Sequence, residues 1–109
     1  MTEAEAQKAI DYIRDSAPEF AKAKSERTYI ENYLKVVKAK EMANSDKKTL
    51  GDREIDAFMS MEYETQLRGM RQAVAIEEEL KWRMEAAKLR FEHYKIECFN
   101  NRVEARAMG

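Results

Sequence analysis

Between Ser60 and Arg106 the chain contains no proline and one glycine, Gly69, while apolar residues recur at alternating three- and four-residue steps. Met70, Ala73, Leu80, Met84, Ala87, Phe91, Tyr94 and Cys98 carry that rhythm, which is the period of one face of an α-helix. A helix of about 45 residues rises to roughly 65 Å, about twice the diameter of a compact domain of this length. No compact partner from the same chain can cover a helix that long. The segment therefore predicts an all-α fold, an elongated helical hairpin or coiled-coil-like bundle with one very long C-terminal helix, completed by dimerisation.

Composition agrees with an all-α single domain over residues 1–109. Three glycines and one proline leave nearly every position free to be helical, and charged residues make up 38% of the chain. Twenty basic side chains stand against 21 acidic ones, and the two halves are balanced separately, so no global field favours nucleic acid or an anionic membrane. No apolar run is long enough to span a bilayer, and the opening MTEAEAQKAI is too polar for a secretory h-region, so a cytoplasmic location is expected. Cys98 is the only cysteine, which excludes an intrachain disulfide; at a core-spaced position it reads as a small apolar residue.

Helix signals divide the chain into four segments, at about 3–15, 17–43, 52–59 and 61–106, with a loop at 44–51. Thr2-Glu3-Ala4-Glu5 fits a capping box, and Ser16-Ala17-Pro18-Glu19 reads as a second start with proline in the first turn. The first helix shows a narrow stripe of Ala6, Ala9, Ile10 and Ile13; the second shows Phe20, Ala23, Ile30, Tyr33, Leu34, Val37 and Met42. Asn44 to Asp52 clusters turn formers, and Ser60-Met61-Glu62 offers either a fresh capped start or a helix that runs straight through.

The last segment carries a second stripe. Trp82, Leu89, Ile96 and Val103 recur every seven residues, with Ala86 and Phe99 beside them. Two stripes require two neighbours. One is the second helix, folded back as an antiparallel hairpin, but a 27-residue helix of roughly 40 Å leaves about 25 Å of the long helix bare. The first helix can cover part of that deficit, and a second copy of the chain is the simplest cover for the remainder. The dimer or partner seam is either Met84, Ala87, Phe91, Tyr94 and Cys98 or the stripe of Trp82, Leu89, Ile96 and Val103, whichever the chain does not use internally.

Chemistry finds little support. His93 is the only histidine, and His93 with Glu97 is too small a set for a metal site. Glu77, Glu78 and Glu79 fan over about 200 degrees of a helix and read as a solvated acidic turn. Gly51, Gly69 and Gly109 stand alone, so no phosphate cradle is present. No cofactor and no catalytic residue is expected. Lys81, Lys88, Lys95 and Arg102 form a seven-residue row able to contact phosphates, but Glu78, Glu85 and Glu92 lie at ion-pair offsets from it and favour a salt-bridged face. The methionines read as core filling, unless Met59, Met61 and Met70 are exposed together as a docking surface.

The succession Glu62-Tyr63, Leu67, Gly69, Ala73, Glu77, Leu80-Lys81-Trp82, Ala86-Ala87, Arg90-Phe91-Glu92, Asn101-Arg102 and Ala105-Arg106 resembles a group of small uncharacterised helical proteins of tailed bacteriophages and prophages. The likeness covers roughly residues 28–107, including Tyr33-Leu34-Lys35. This chain has Tyr94 where that group commonly has tryptophan, and lacks its proline near Met61. The resemblance implies a bacterial host and a gene placed among recombination and replication genes; it brings no catalytic residue. Together with the stripes it leads to the expectation of a non-enzymatic accessory protein acting through protein–protein interaction in viral DNA recombination or replication. Two alternatives stand beside it: a nucleic-acid-binding dimer using the Lys81, Lys88, Lys95 and Arg102 row, and a virion assembly or scaffold element.

Overall fold

The computed structural model describes residues 1–109 and consists of three helices with no strand: α1 (Glu3–Asn44), α2 (Leu50–Phe58) and α3 (Met61–Met108). Each start is fixed by a hydroxyl cap. Thr2 Oγ1 accepts from the Glu5 amide at 3.2 Å, Thr49 Oγ1 from the Asp52 amide at 3.2 Å, and Ser60 Oγ from the Tyr63 amide at 3.2 Å. Such caps satisfy amides that have no partner within the helix. Ser60 also donates to the Ala57 carbonyl at 2.8 Å, so one residue both closes α2 and opens α3. The break after Ser60 is therefore real, and a helix running straight through is excluded.

The expected break at Ser16 does not occur. α1 is one continuous helix through Pro18, about 63 Å at the standard rise. Proline removes one backbone hydrogen bond, to the carbonyl of Arg14. Pro18 and Arg14 are both exposed, so that carbonyl faces water. Ile13, Ser16 and Phe20, in contrast, keep an unbroken three-four rhythm on the packed face, and Ser16 is buried. Packing on the inner side of α1 outweighs a local stop signal on its outer side.

The chain divides into two compact units. The first contains Met1–Phe20 with Glu79–Gly109, and the second Ala21–Glu78. In the first, α1 and α3 segments lie antiparallel: the Met1 ammonium reaches Glu97 Oε2 at 3.4 Å. The expectation that the N-terminal helix shares in covering the long one is met here. The seam is made of Ala6, Ala9, Ser16 and Ala87, all buried, flanked by half-buried Ile13, Phe20, Met84, Phe91 and Tyr94. Every residue of α3 beyond Cys98 is exposed.

In the second unit α1 turns back through residues 45–49 and α2 onto the start of α3. Arg53 pins the turn, donating from Nε to the Lys47 carbonyl at 2.8 Å, and Ser45 Oγ donates to Asp56 Oδ2 at 2.7 Å. Ala23, Val37, Ala57 and Ala73 are buried, and Val37 is the largest side chain wholly enclosed anywhere in the chain. α2 begins two residues earlier than the turn-forming composition suggests, because Thr49 caps it. No helix is long and apolar enough to cross a membrane.

One element of this seam differs from the expected acidic turn. Glu78 and Glu79 are exposed, but Glu77 is buried and makes a direct charge-assisted hydrogen bond to Arg27 Nε of α1. Arg27 also holds Glu31 Oε2 at 2.9 Å. The bond to Glu77 raises the guanidinium pKa further, against a smaller opposing effect of burial, so Arg27 is charged at every accessible pH. Glu77 lies seven residues from Met70 and from Met84, so helical phase sends it into the seam.

Candidate interaction surface

α3 has two apolar faces, and the structure separates their roles. Met84, Ala87, Phe91, Tyr94 and Cys98 turn toward the first segment of α1. Ala87 is wholly buried and the other four are half-buried, so this stripe is occupied by the chain itself and is withdrawn as a dimer seam. The Tyr94 hydroxyl is held above the ordinary tyrosine range, first by hydrogen bonding with the Cys98 side chain one turn on, then by burial, and last by the charges of Cys98 and Glu3. Cys98 is half-buried and its thiol is free.

The other stripe lies on the opposite side of α3 and faces solvent. Trp82 and Leu89 are each 62% exposed, Ile96 58%, Phe99 60% and Val103 47%. At seven-residue spacing these side chains line one flank over about 33 Å. Isolated exposed apolar residues are ordinary, but a contiguous row of large ones marks an interaction site. Shallow depressions run along it, one lined by Glu92, Lys95, Ile96 and Phe99 and another by Phe99, Arg102, Val103 and Arg106.

The charges flanking this row are arranged differently from the expected ladder of ion pairs. Lys81 sets its ammonium 5.4 Å from the Trp82 ring centroid, and Lys95 lies 5.5 Å from that of Phe91. Arg83 Nη2 meets Glu79 Oε1 at 2.5 Å, and His93 Nε2 meets Glu97 Oε1 at 2.9 Å. Glu85, Glu92, Lys88, Arg90, Arg102 and Glu104 are exposed and take part in no ion pair within the chain. The expected pairing of Glu85 and Glu92 with the lysines is not formed: Lys81 and Lys95 bend toward aromatic rings instead. The basic row Lys81, Lys88, Lys95 and Arg102 is therefore accessible, with Glu85 and Glu92 immediately beside it.

A second apolar exposure lies on α2 and the joint after it. Leu50, Ile55, Phe58, Met59 and Met61 are exposed, while α2 is held through Ala57, Asp56 and the Lys38–Glu54 pair at 3.6 Å. Met59 and Met61 are exposed together as a docking surface requires, but Met70 is half-buried on the seam side of α3. His93 and Glu97 bond to each other, and no group of three or more His, Cys, Asp or Glu side chains converges anywhere in the chain. Gly69 does not mark a forced close crossing: a β-carbon there would sit 3.9 Å from Ile30 Cδ1, an ordinary contact.

No protein-family model, curated protein or solved structure matches this chain.

Proposed function

We propose that this chain is a non-enzymatic helical accessory protein of phage or prophage origin that acts by protein–protein association through the outer face of α3, in viral DNA recombination or replication. The observation that carries the association is the row of Trp82, Leu89, Ile96, Phe99 and Val103, each about half exposed or more. Full burial of one such side chain stabilises by roughly 1.5–3 kcal/mol relative to exposure, so a chain that leaves five in water forgoes a sum comparable with the stability of a small domain. A partner recovers it. The viral setting rests on the resemblance of residues 28–107 to the phage group and on nothing in the geometry.

The test is comparative. A tagged wild-type chain and a tagged Leu89→Asp/Ile96→Asp variant are co-expressed with an untagged copy in a prophage-carrying host. Wild type is expected to retain a companion, either the untagged copy or another protein, that the variant loses while keeping its helical circular dichroism. Equal recovery by both baits ends the proposal.

A second reading has its own observation: Lys88 and Arg102 are exposed and unpaired in the same row as Lys81 and Lys95. A gel-shift titration on duplex and single-stranded DNA checks it, because phosphate contacts must weaken steeply with salt. Unshifted DNA at micromolar protein and low salt retires it.

A further inference from the structure

The neutrality of the second unit is a cancellation between two opposite regions. Within Ala21–Glu78, 11 basic side chains stand against 11 acidic ones. Residues 21–48, the second half of α1 and the turn after it, hold eight of the basic and four of the acidic, whereas residues 49–78 hold three and seven. The fold uses only two of those eight cations in ion pairs: Arg27 is held by Glu77 and Glu31, and Lys38 by Glu54. Lys22, Lys24, Lys35, Lys40, Lys47 and Lys48 are exposed and form no ion pair within the chain. Among the acids of the same stretch, Glu31 is taken by Arg27 and Glu41 is half-buried, which leaves Glu26 and Asp46 exposed.

An aromatic platform lies in the middle of this basic region. Lys22, Glu26, Tyr29, Tyr33, Val36 and Lys40 follow one another at alternating four- and three-residue steps, so they form one strip along α1, about 27 Å from first to last. Tyr29 and Tyr33 stack, with ring centroids 5.9 Å apart and planes inclined by 8°. Tyr33 is half-buried and steadies the pair, whereas Tyr29 is 63% exposed. A ring braced on one side and open on the other suits a planar guest. We infer that this strip binds single-stranded nucleic acid, with a base stacked on Tyr29 and phosphates of the same strand at Lys22 and Lys40. The surface belongs to α1 and is independent of the outer face of α3.

Both halves of such a ligand match something on the strip. Phosphates answer a row of unpaired cations, and every base offers a π-face, whereas in a duplex those faces are closed within the stack. An acidic protein would satisfy the lysines and leave the stacked rings without a role. By helical phase Lys24 and Lys35 lie across Ser25, Thr28 and Asn32 from the strip, and all three of these small polar residues are exposed. A strand crossing α1 there meets neither a bulky nor an acidic side chain. Glu26 is the one acid on the strip and opposes binding. With about four lysines engaged, log affinity should fall against log salt with a slope of about −3.

Fluorescence anisotropy of labelled oligothymidylate and oligouridylate, each about 20 nucleotides and so longer than the sites such surfaces occupy, is measured with the full chain at low salt. Binding of at least one is expected in the micromolar range, tighter than a duplex of equal length and with the stated salt slope. Tyr29→Ala should weaken it roughly five- to hundredfold, and Tyr29→Phe should keep it, because stacking needs the ring and not the hydroxyl. Lys22→Gln/Lys40→Gln should reduce the salt slope by about 1.4, and Glu26→Gln should tighten binding. These positions are exposed, so the helical circular dichroism of each variant should match wild type. Failure to bind either oligonucleotide at hundreds of micromolar protein overturns the inference. So does Tyr29→Ala binding as well as wild type, a duplex bound as tightly as the single strand, or polyglutamate competing as effectively at equal charge. Binding lost in Lys88→Gln/Arg102→Gln and untouched by the α1 variants assigns the nucleic acid to α3 and also overturns it. Protein association through α3 is read separately, by the companion that Leu89→Asp/Ile96→Asp loses.

Discussion

Replacing Gly69 by alanine tests the packing of the second unit at a single methyl group. Gly69 lies within α3, has no positive φ and is half-buried. Its new β-carbon would meet Ile30 Cδ1 at 3.9 Å, with nothing nearer outside its own helix. The added methyl thus enters a contact at van der Waals distance and displaces nothing. Glycine in a helix interior costs about 1 kcal/mol relative to alanine, chiefly through the backbone freedom it loses on folding. Gly69→Ala is accordingly expected to stabilise by about 1 kcal/mol, and for a chain of this length to raise the melting temperature by roughly 4–8 °C. Urea unfolding followed by circular dichroism measures it, with the midpoint rising and the slope unchanged. A variant that is neutral or destabilised at constant slope would show that α1 and α3 approach at Ile30 more closely than the geometry states, and that glycine is required there.

Three further perturbations examine other parts of the structure. Glu77→Leu leaves Arg27 facing the seam without its main partner and should lower the melting temperature, whereas Arg27→Leu/Glu77→Leu should recover it fully; a single variant as stable as wild type would show that the pair does not secure the register. Tyr94 should be the last of the five tyrosines to ionise in a spectrophotometric base titration, and Tyr94→Phe should remove that late step. Because its folded pKa is raised, its stabilisation is complete below the pH at which an unfolded tyrosine ionises and is lost as pH rises through the higher folded value, so wild type should lose stability in that alkaline window more steeply than Tyr94→Phe. Trp82 is the only tryptophan and is 62% exposed, so its emission should shift to the blue as protein concentration rises through the dimerisation range; an emission maximum independent of concentration argues against burial of Trp82 in any self-association.

Much of the helix pattern was readable from spacing alone. The rhythm Met70, Ala73, Leu80, Met84, Ala87, Phe91, Tyr94 and Cys98 is the packed face of α3, and Trp82, Leu89, Ile96 and Val103 are its exposed face. Ser16-Ala17-Pro18-Glu19 misled because a cap and a proline are local signals. The decisive information was the phase of Ala9, Ile13, Ser16 and Phe20, which crosses the proline without slipping. That error also exaggerated the bare length of α3, since one 42-residue helix carries the N-terminus as far as Glu97. Glu77 was obscured by its acidic neighbours, and Arg27 by an exposed-looking charged stretch. Both fall on the seam phase, so a charged residue out of place in an apolar rhythm was the available clue. Which lysines meet carboxylates and which bend over rings was not legible, because several partners lie within reach of each flexible stem.

The seam is built from small side chains, with Val37 the only large one fully enclosed. Unfolding therefore hydrates little new hydrocarbon, and the heat-capacity increment of the isolated chain should fall below the usual 12–15 cal/mol/K per residue, by about the share that large buried side chains normally supply. A small increment flattens the stability curve, so an isolated copy should lose stability only gradually on cooling. If copies meet on the outer face of α3, the large apolar side chains leave water at that step instead. The calorimetric mark of hydrophobic burial would then belong to association, as a negative heat-capacity change of mixing, and only weakly to folding.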